Sequence, residues 1–189
     1  MIKIGILGPI GSGKSYVARN FGYPVFNADE EVAKLYSSNK KLYYKLKNSL
    51  PKYFNSFPIK KRKVIEAILA NNTNLKKIIK LVHKEIKKKL HFFIKKNANK
   101  EMVILDIPLL LENKLNGKKD ILIFVQAKKY DILKRLKKRK NFNSKLYEKF
   151  KKIQLSGPYK KKRSIYVIKN DFKKRTVLKK IKKILSEIK

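Results

Sequence analysis

The chain has 189 residues, the size of one compact domain with room for an insertion. A hydrophobic content of 43% excludes the disordered class in spite of a formal net charge of +38. The absence of cysteine excludes a disulfide framework and a thiolate metal site, and two histidines are too few for a zinc cluster. The 51 basic side chains, set against 13 acidic ones, would suit a polyanionic partner. They comprise 45 Lys and six Arg, scattered among many Ile and Asn, the mixture an AT-rich coding bias produces. A specific nucleic-acid partner is therefore not expected. No apolar run approaches the ~20 residues needed to span a bilayer, and the first residues do not form a signal peptide, so no membrane association and a cytoplasmic location are expected.

In chain order, residues 2–7 read as an apolar strand that ends in the glycine-rich stretch 8–13. Residues 14–21 suit a helix, stopped by Gly22, and residues 23–26 read as a second strand. From about residue 30 to about 98 no strand signal occurs, but Leu75, Ile79, Val82, Ile86, Leu90 and Phe93 recur at helical spacing, which predicts a helical insertion. Residues 102–105 and 121–125 are continuous apolar runs without alternation, the pattern of parallel strands covered on both faces, and residues 165–168 form a fifth candidate strand. Val177, Ile181, Ile184 and Ile188 predict a closing helix packed on the sheet.

Gly8, Pro9, Ile10, Gly11, Ser12, Gly13, Lys14 and Ser15 match G-x-x-x-x-G-K-[ST] without a mismatch, between a predicted strand and a predicted helix. In that setting loop N–H groups and the helix dipole converge on phosphate oxygens, Lys14 reaches the β- and γ-phosphates, and the Ser15 hydroxyl is a ligand for Mg²⁺. The expected fold class is a three-layer α/β/α P-loop architecture on a five-stranded parallel sheet. Among the few acids, Asp29 follows the second strand and Asp106 closes the third, so both are expected at the carboxyl edge of the sheet. Asp29 fits a catalytic acid or a helix N-cap; Asp106 fits a Mg²⁺ ligand or a plain strand end. Arg135 and Arg139, four apart on a predicted helix, are expected to share a face and offer planar contacts to phosphate. His83 fits a half-buried core histidine as well as a substrate contact.

Several kinds of P-loop protein remain open at this point. No guanine-specifying N-K-x-D tetrapeptide follows a strand, and motor ATPases carry larger or additional domains, so size and the helical insertion favour a small-molecule kinase. Among kinases, one acting on a nucleotide is the nearest rival, and a nucleic-acid-binding ATPase is the rival from another class.

The residues also resemble one family over nearly the whole chain, that of dephospho-CoA kinase. The resemblance rests on the phosphate loop, on Asn27-Ala28-Asp29 where the family commonly has Asp-Ala-Asp, and above all on Asp106-Ile107-Pro108-Leu109-Leu110-Leu111-Glu112, similar to the family's D-x-P-L-L-[FL]-E. Arg135, Arg139, Gln154 in a lid-like basic helix, and Tyr166 to Asn170 add to it. Departures include Pro9 where Gly is usual and Lys84 where His83 is usually followed by Pro. Sequence alone does not give the oligomeric state, and a monomer is expected; the resemblance implies transfer of the ATP γ-phosphate to the ribose 3′-hydroxyl of dephospho-CoA. It also implies nucleotide contacts from Gly8, Ile10, Gly11, Ser12, Gly13, Lys14, Ser15, Tyr16, Arg135, Arg139 and Asn170. Asp29, Lys14 and Arg139 are then catalytic, and Ser15 and Asp106 hold the metal. Acceptor contacts are implied for Asp29, His83, Pro108, Leu109, Leu110 and Glu112, with an acceptor lobe at about 30–98 and a lid at about 138–163.

Overall fold

The computed structural model describes residues 1–140 and 142–188, and these divide into two compact units, one of residues 1–27 with 96–140 and 142–188, the other of residues 28–95. In the first unit the strands β1 (Ile2–Leu7), β2 (Val25–Asn27), β3 (Met102–Asp106), β4 (Ile121–Gln126) and β5 (Tyr166–Lys169) form one parallel sheet in the order β2-β3-β1-β4-β5. Around the sheet run α1 (Lys14–Arg19), α6 (Lys129–Lys137), α7 (Ser144–Ile153), α8 (Gly157–Lys162) and α9 (Lys174–Ile188).

The uninterrupted apolar runs follow from burial on both faces. On one face Ile4, Ile6, Met102, Ile104, Ile123, Val125 and Ile168 pack with Val17 and Ala18 of α1 and Val177, Ile181 and Ile184 of α9. On the other, Leu7, Val103, Leu105, Leu122 and Phe124 are equally buried, and Leu110 sits over Gly5 so closely that a Cβ there would lie 2.6 Å from its Cδ2. A parallel sheet presents its strand ends on one edge, and β1 lies between β3 and β4, so the loops after β1, β3 and β4 emerge side by side.

Two boundaries differ from the expected ones by two residues, and the remaining strand ends by no more than one. The second strand begins at Val25, not Tyr23, because Pro24 has no N–H to enter the ladder and joins it only through its carbonyl, which accepts the Ile104 N–H at 2.9 Å. The first helix ends at Arg19, not 21: Asn20 and Phe21 donate to the carbonyls three residues back, Val17 and Ala18, and tighten the chain into Gly22 at φ 78°.

The second unit holds α2 (Ala28–Ser38), α3 (Lys40–Ser49), α4 (Lys61–Ala70) and nearly all of α5 (Asn72–Lys96). Its core is Leu35, Leu42, Leu46, Phe54, Ala67, Leu75, Ile78, Val82, Ile86 and Leu90. Asn39 caps α3 by accepting the Leu42 N–H at 2.8 Å, and Asn71 accepts that of Asn74 at 2.7 Å. Glu85, buried in this unit, is pushed up by desolvation but held below the usual carboxylate range overall by the Lys45 and Lys88 ammonium groups.

Candidate functional site

The phosphate-loop sequence lies where β1 runs out into α1. Gly13 precedes the helix at φ 92°, a conformation that suits glycine, and a Cβ at this position would run into the Nδ2 of Asn170. That amide donates to the Ser12 carbonyl at 2.8 Å, and Asn170 Oδ1 accepts the Phe172 N–H at 2.9 Å. Asn170, just past β5 and 3% exposed, thereby fastens the loop from the far side of the sheet. Gly8 is equally constrained, since a Cβ there would stand 2.6 Å from the Val125 carbonyl oxygen. Ile132 and Leu136 of α6 abut Gly11, so the loop is clasped by β4, α6 and the residue after β5.

Lys14, buried in the first turn of α1, donates from Nζ to the carbonyls of Gly8 at 3.1 Å and Pro9 at 2.9 Å. Its ammonium therefore arches back over the loop. The Ser12 hydroxyl is buried with no protein hydrogen-bond partner among the described residues. Loop N–H groups, a helix N-terminus, an ammonium group and a buried hydroxyl make a cradle for phosphate oxygens. Ser15 and the exposed Tyr16 continue α1 on its first turn.

Asp106 ends β3, 3% exposed, directly across the ladder from Asn27, whose Nδ2 donates to Asp106 Oδ2 at 3.3 Å. Beyond it the chain turns through Pro108 and Leu109, both partly buried, to Leu110. Leu110 is entirely buried, so the structure places it in the core over Gly5 and not on a ligand-facing surface. Glu112 accepts from Lys160 at 2.7 Å and from the Leu155 N–H at 2.9 Å.

A family model described as Dephospho-CoA kinase matches residues 2–175. The chain belongs to the dephospho-CoA kinase family. Among curated relatives, the dephospho-CoA kinase of Wolbachia pipientis wMel is 32% identical, over 98% of this chain and 97% of the relative. Among solved structures, TT1252 from Thermus thermophilus superposes with a TM-score of 0.77 at 26% identity, covering 100% of this chain and 98% of that one. The dephospho-CoA kinase of Campylobacter jejuni shares the fold at a TM-score of 0.67 and 19% identity, over 98% and 96% of the two chains. Family membership makes the protein an ATP-dependent kinase with a P-loop fold and a small-molecule substrate.

Arg135 is exposed on α6 and stacks its guanidinium 4.4 Å from the centre of the Phe172 ring. Arg139 does not share that helix, contrary to expectation. The apolar stripe of α6 ends with Ile132 and Leu136, the next residues are Lys137, Lys138, Arg139 and Lys140, and with nothing left to pack the helix stops at Lys137. Arg139 lies in the turn beyond, its N–H donating to Leu136 at 3.0 Å. Gln154 is likewise not inside a helix: it caps the C-terminus of α7, and its side chain donates to the Pro108 carbonyl at 3.2 Å. Phe172, at φ 63°, and Lys160 were not among the expected site residues. Phe172 follows an Asn-Asp pair able to form such a turn, whereas nothing in sequence separates Lys160 from 44 other lysines.

In the helical unit, Asp29 is exposed in the first turn of α2, with Glu30 and Glu31, a placement the helix dipole favours. His83 lies on α5, its Nε2 buried with no hydrogen-bond partner among the described residues. Burial, then the Lys87 ammonium one turn on, lowers its pKa below the usual histidine value. The unfolded chain takes up a proton here near pH ~6.5. Because the folded value is lower, the contribution to stability is complete above that pH and is lost as pH falls through the folded value. The slope of Tm between pH 7.5 and 5.5 should therefore be shallower in His83→Leu than in the wild type, as read by calorimetry; equal slopes would remove His83 as the cause.

Proposed function

We propose that the chain transfers the γ-phosphoryl group of ATP to the ribose 3′-hydroxyl of dephospho-CoA, giving ADP and coenzyme A, as a monomer in the cytoplasm. The observation that carries the reading is the family match over residues 2–175, which reaches from the phosphate loop through the Asp106 to Glu112 signature and both arginines.

The chemistry is mainly positioning and charge neutralisation, since the loose phosphoryl-transfer transition state leaves little covalent work to a protein. The loop N–H groups hold the β- and γ-phosphates, and Lys14 turns from the Gly8 and Pro9 carbonyls to a phosphoryl oxygen. Arg135 and Arg139 add positive charge, with Arg135 held by Phe172. Asp29, two residues past the end of β2, orients the acceptor hydroxyl and takes its proton as the new P–O bond forms and the ADP oxygen leaves. The helical unit supplies the acceptor lobe, with His83 on it, and α7 with α8 is the lid that excludes water.

The donor set fits Mg²⁺, a hard cation that takes oxygen ligands and keeps several waters. Ser15 opens α1 after β1, and Asp106 closes the neighbouring β3, so a hydroxyl and a buried carboxylate both belong to the carboxyl edge of the sheet. These two residues would hold the ion, which supplies charge neutralisation at the phosphate oxygens when bound.

The test is an ADP-release assay coupled to chromatographic detection of coenzyme A, over dephospho-CoA and the common nucleoside monophosphates. Dephospho-CoA should be the preferred acceptor in the presence of Mg²⁺. Robust turnover of AMP or CMP with none of dephospho-CoA would overturn the acceptor assignment and leave the phosphate loop intact.

A further inference from the structure

One buried ion pair locks the loop after Asp106 to the junction of α7 and α8. Lys160 Nζ stands 2.7 Å from Glu112 Oε1, the two side chains 2% and 10% exposed. Around the pair, Leu155 N–H donates to the same carboxylate oxygen, Gln154 Nε2 donates to the Pro108 carbonyl, and Ser164 Oγ returns to the Lys160 carbonyl at 2.8 Å. The Ser156 hydroxyl caps α8. On the other side of this anchor α7 has no buried residue at all, although Leu146, Phe150 and Ile153 line one of its faces. Thus one end of a lightly packed helix is fastened, through charge, to the segment that leaves the carboxyl end of β3.

An ion pair buried this deeply is weak evidence of a device for stability alone, because well-packed apolar residues of similar volume often stabilise a fold as well or better. What it does provide is a single directional geometry between two segments. We propose that Glu112 and Lys160 form the fixed pivot of the α7 lid, and that Lys160 is a positioning residue for phosphoryl transfer, acting through Glu112 on the loop that follows Asp106. The proposal rests on the lid and the kinase reading above.

Positioning and stability separate when both charges are removed. Lys160→Met strands a buried carboxylate and should lower both Tm and kcat. In Glu112→Gln/Lys160→Met no buried charge is left, so Tm should return to within a few degrees of the wild type while kcat remains at least tenfold down. The same double variant should form more ADP unmatched by acceptor product, by at least fivefold, because a loosened lid admits water as the phosphoryl acceptor and ATP then yields ADP and inorganic phosphate. ATP affinity by calorimetric titration should stay within about twofold, since the phosphate loop is fastened by Asn170 and α6 and not by this pair. Wild-type kcat with unchanged uncoupled hydrolysis in the double variant, or failure of both variants to fold, would make the pair purely structural and overturn the proposal. Wild-type protein inactive on dephospho-CoA would instead overturn the acceptor assignment, and uncoupled ATP hydrolysis would still read the pivot.

Discussion

Lys14→Ala should lower kcat by at least ~10²–10³-fold, the loss typical of removing one preorganised charge-stabilising donor from a water-excluded site, equivalent to about 3–4 kcal/mol. The side chain is buried, and its ammonium already arches over the loop carbonyls of Gly8 and Pro9, so it is held beside the phosphate cradle and not free in solvent. The fold should survive, because α1 is anchored by Val17 and Ala18, both 0% exposed, and the loop by Asn170. Lys14→Arg should also fail in large part: a planar fork cannot reproduce a compact point charge where two backbone carbonyls and a phosphoryl oxygen must be served in turn. Steady-state kinetics with a thermal melt of each variant checks both claims. Near wild-type turnover in a folded Lys14→Ala protein would remove Lys14 from the reaction.

The carboxyl-edge site was legible in the sequence where local chemistry dictates structure. Ile2 to Leu7, short, rich in Ile and bounded by glycine, has the composition and length of a strand, and the glycines that follow permit the loop whose Gly13 leaves no room for a Cβ beside Asn170. Asp106 was legible for the same reason, as an acid ending a run of four apolar residues. What escaped the reading depends on groups distant in sequence or on the lack of a packing partner. Arg139 leaves the helix because Lys137 to Lys140 offer no apolar anchor. Asn27 stands where the resembling family commonly has Asp, and in the structure its amide donates to Asp106, where an aspartate would put two carboxylates side by side. Lys160 is one of 45 lysines until the fold buries it against Glu112, 48 residues earlier in the chain.

The same ladder frames the expected result at Asp29. A ribose hydroxyl is a weak nucleophile that must be held in line with the γ-phosphorus, and a carboxylate that accepts its hydrogen bond or its proton lowers the barrier. Asn27 pairs with Asp106 across β2 and β3, so the chain leaves β2 at the level where β3 ends, and Asp29 follows two residues later in the exposed first turn of α2. Asparagine keeps the size and can still serve the helix N-terminus, but it cannot take a proton. Asp29→Asn should therefore preserve the fold and ATP affinity while lowering kcat at least ~100-fold, the lower range for losing general acid–base assistance. Glu31 in the same turn is the control. Its carboxylate pairs with Lys34 at 2.7 Å on the exposed surface, so Glu31→Gln should leave kcat within a few-fold. If Asp29→Asn instead retains kcat within a few-fold and its Tm is also unchanged, neither the catalytic role nor a carboxylate-specific role at the helix N-terminus stands, and Asp106, buried at the end of β3, becomes the acid to test next.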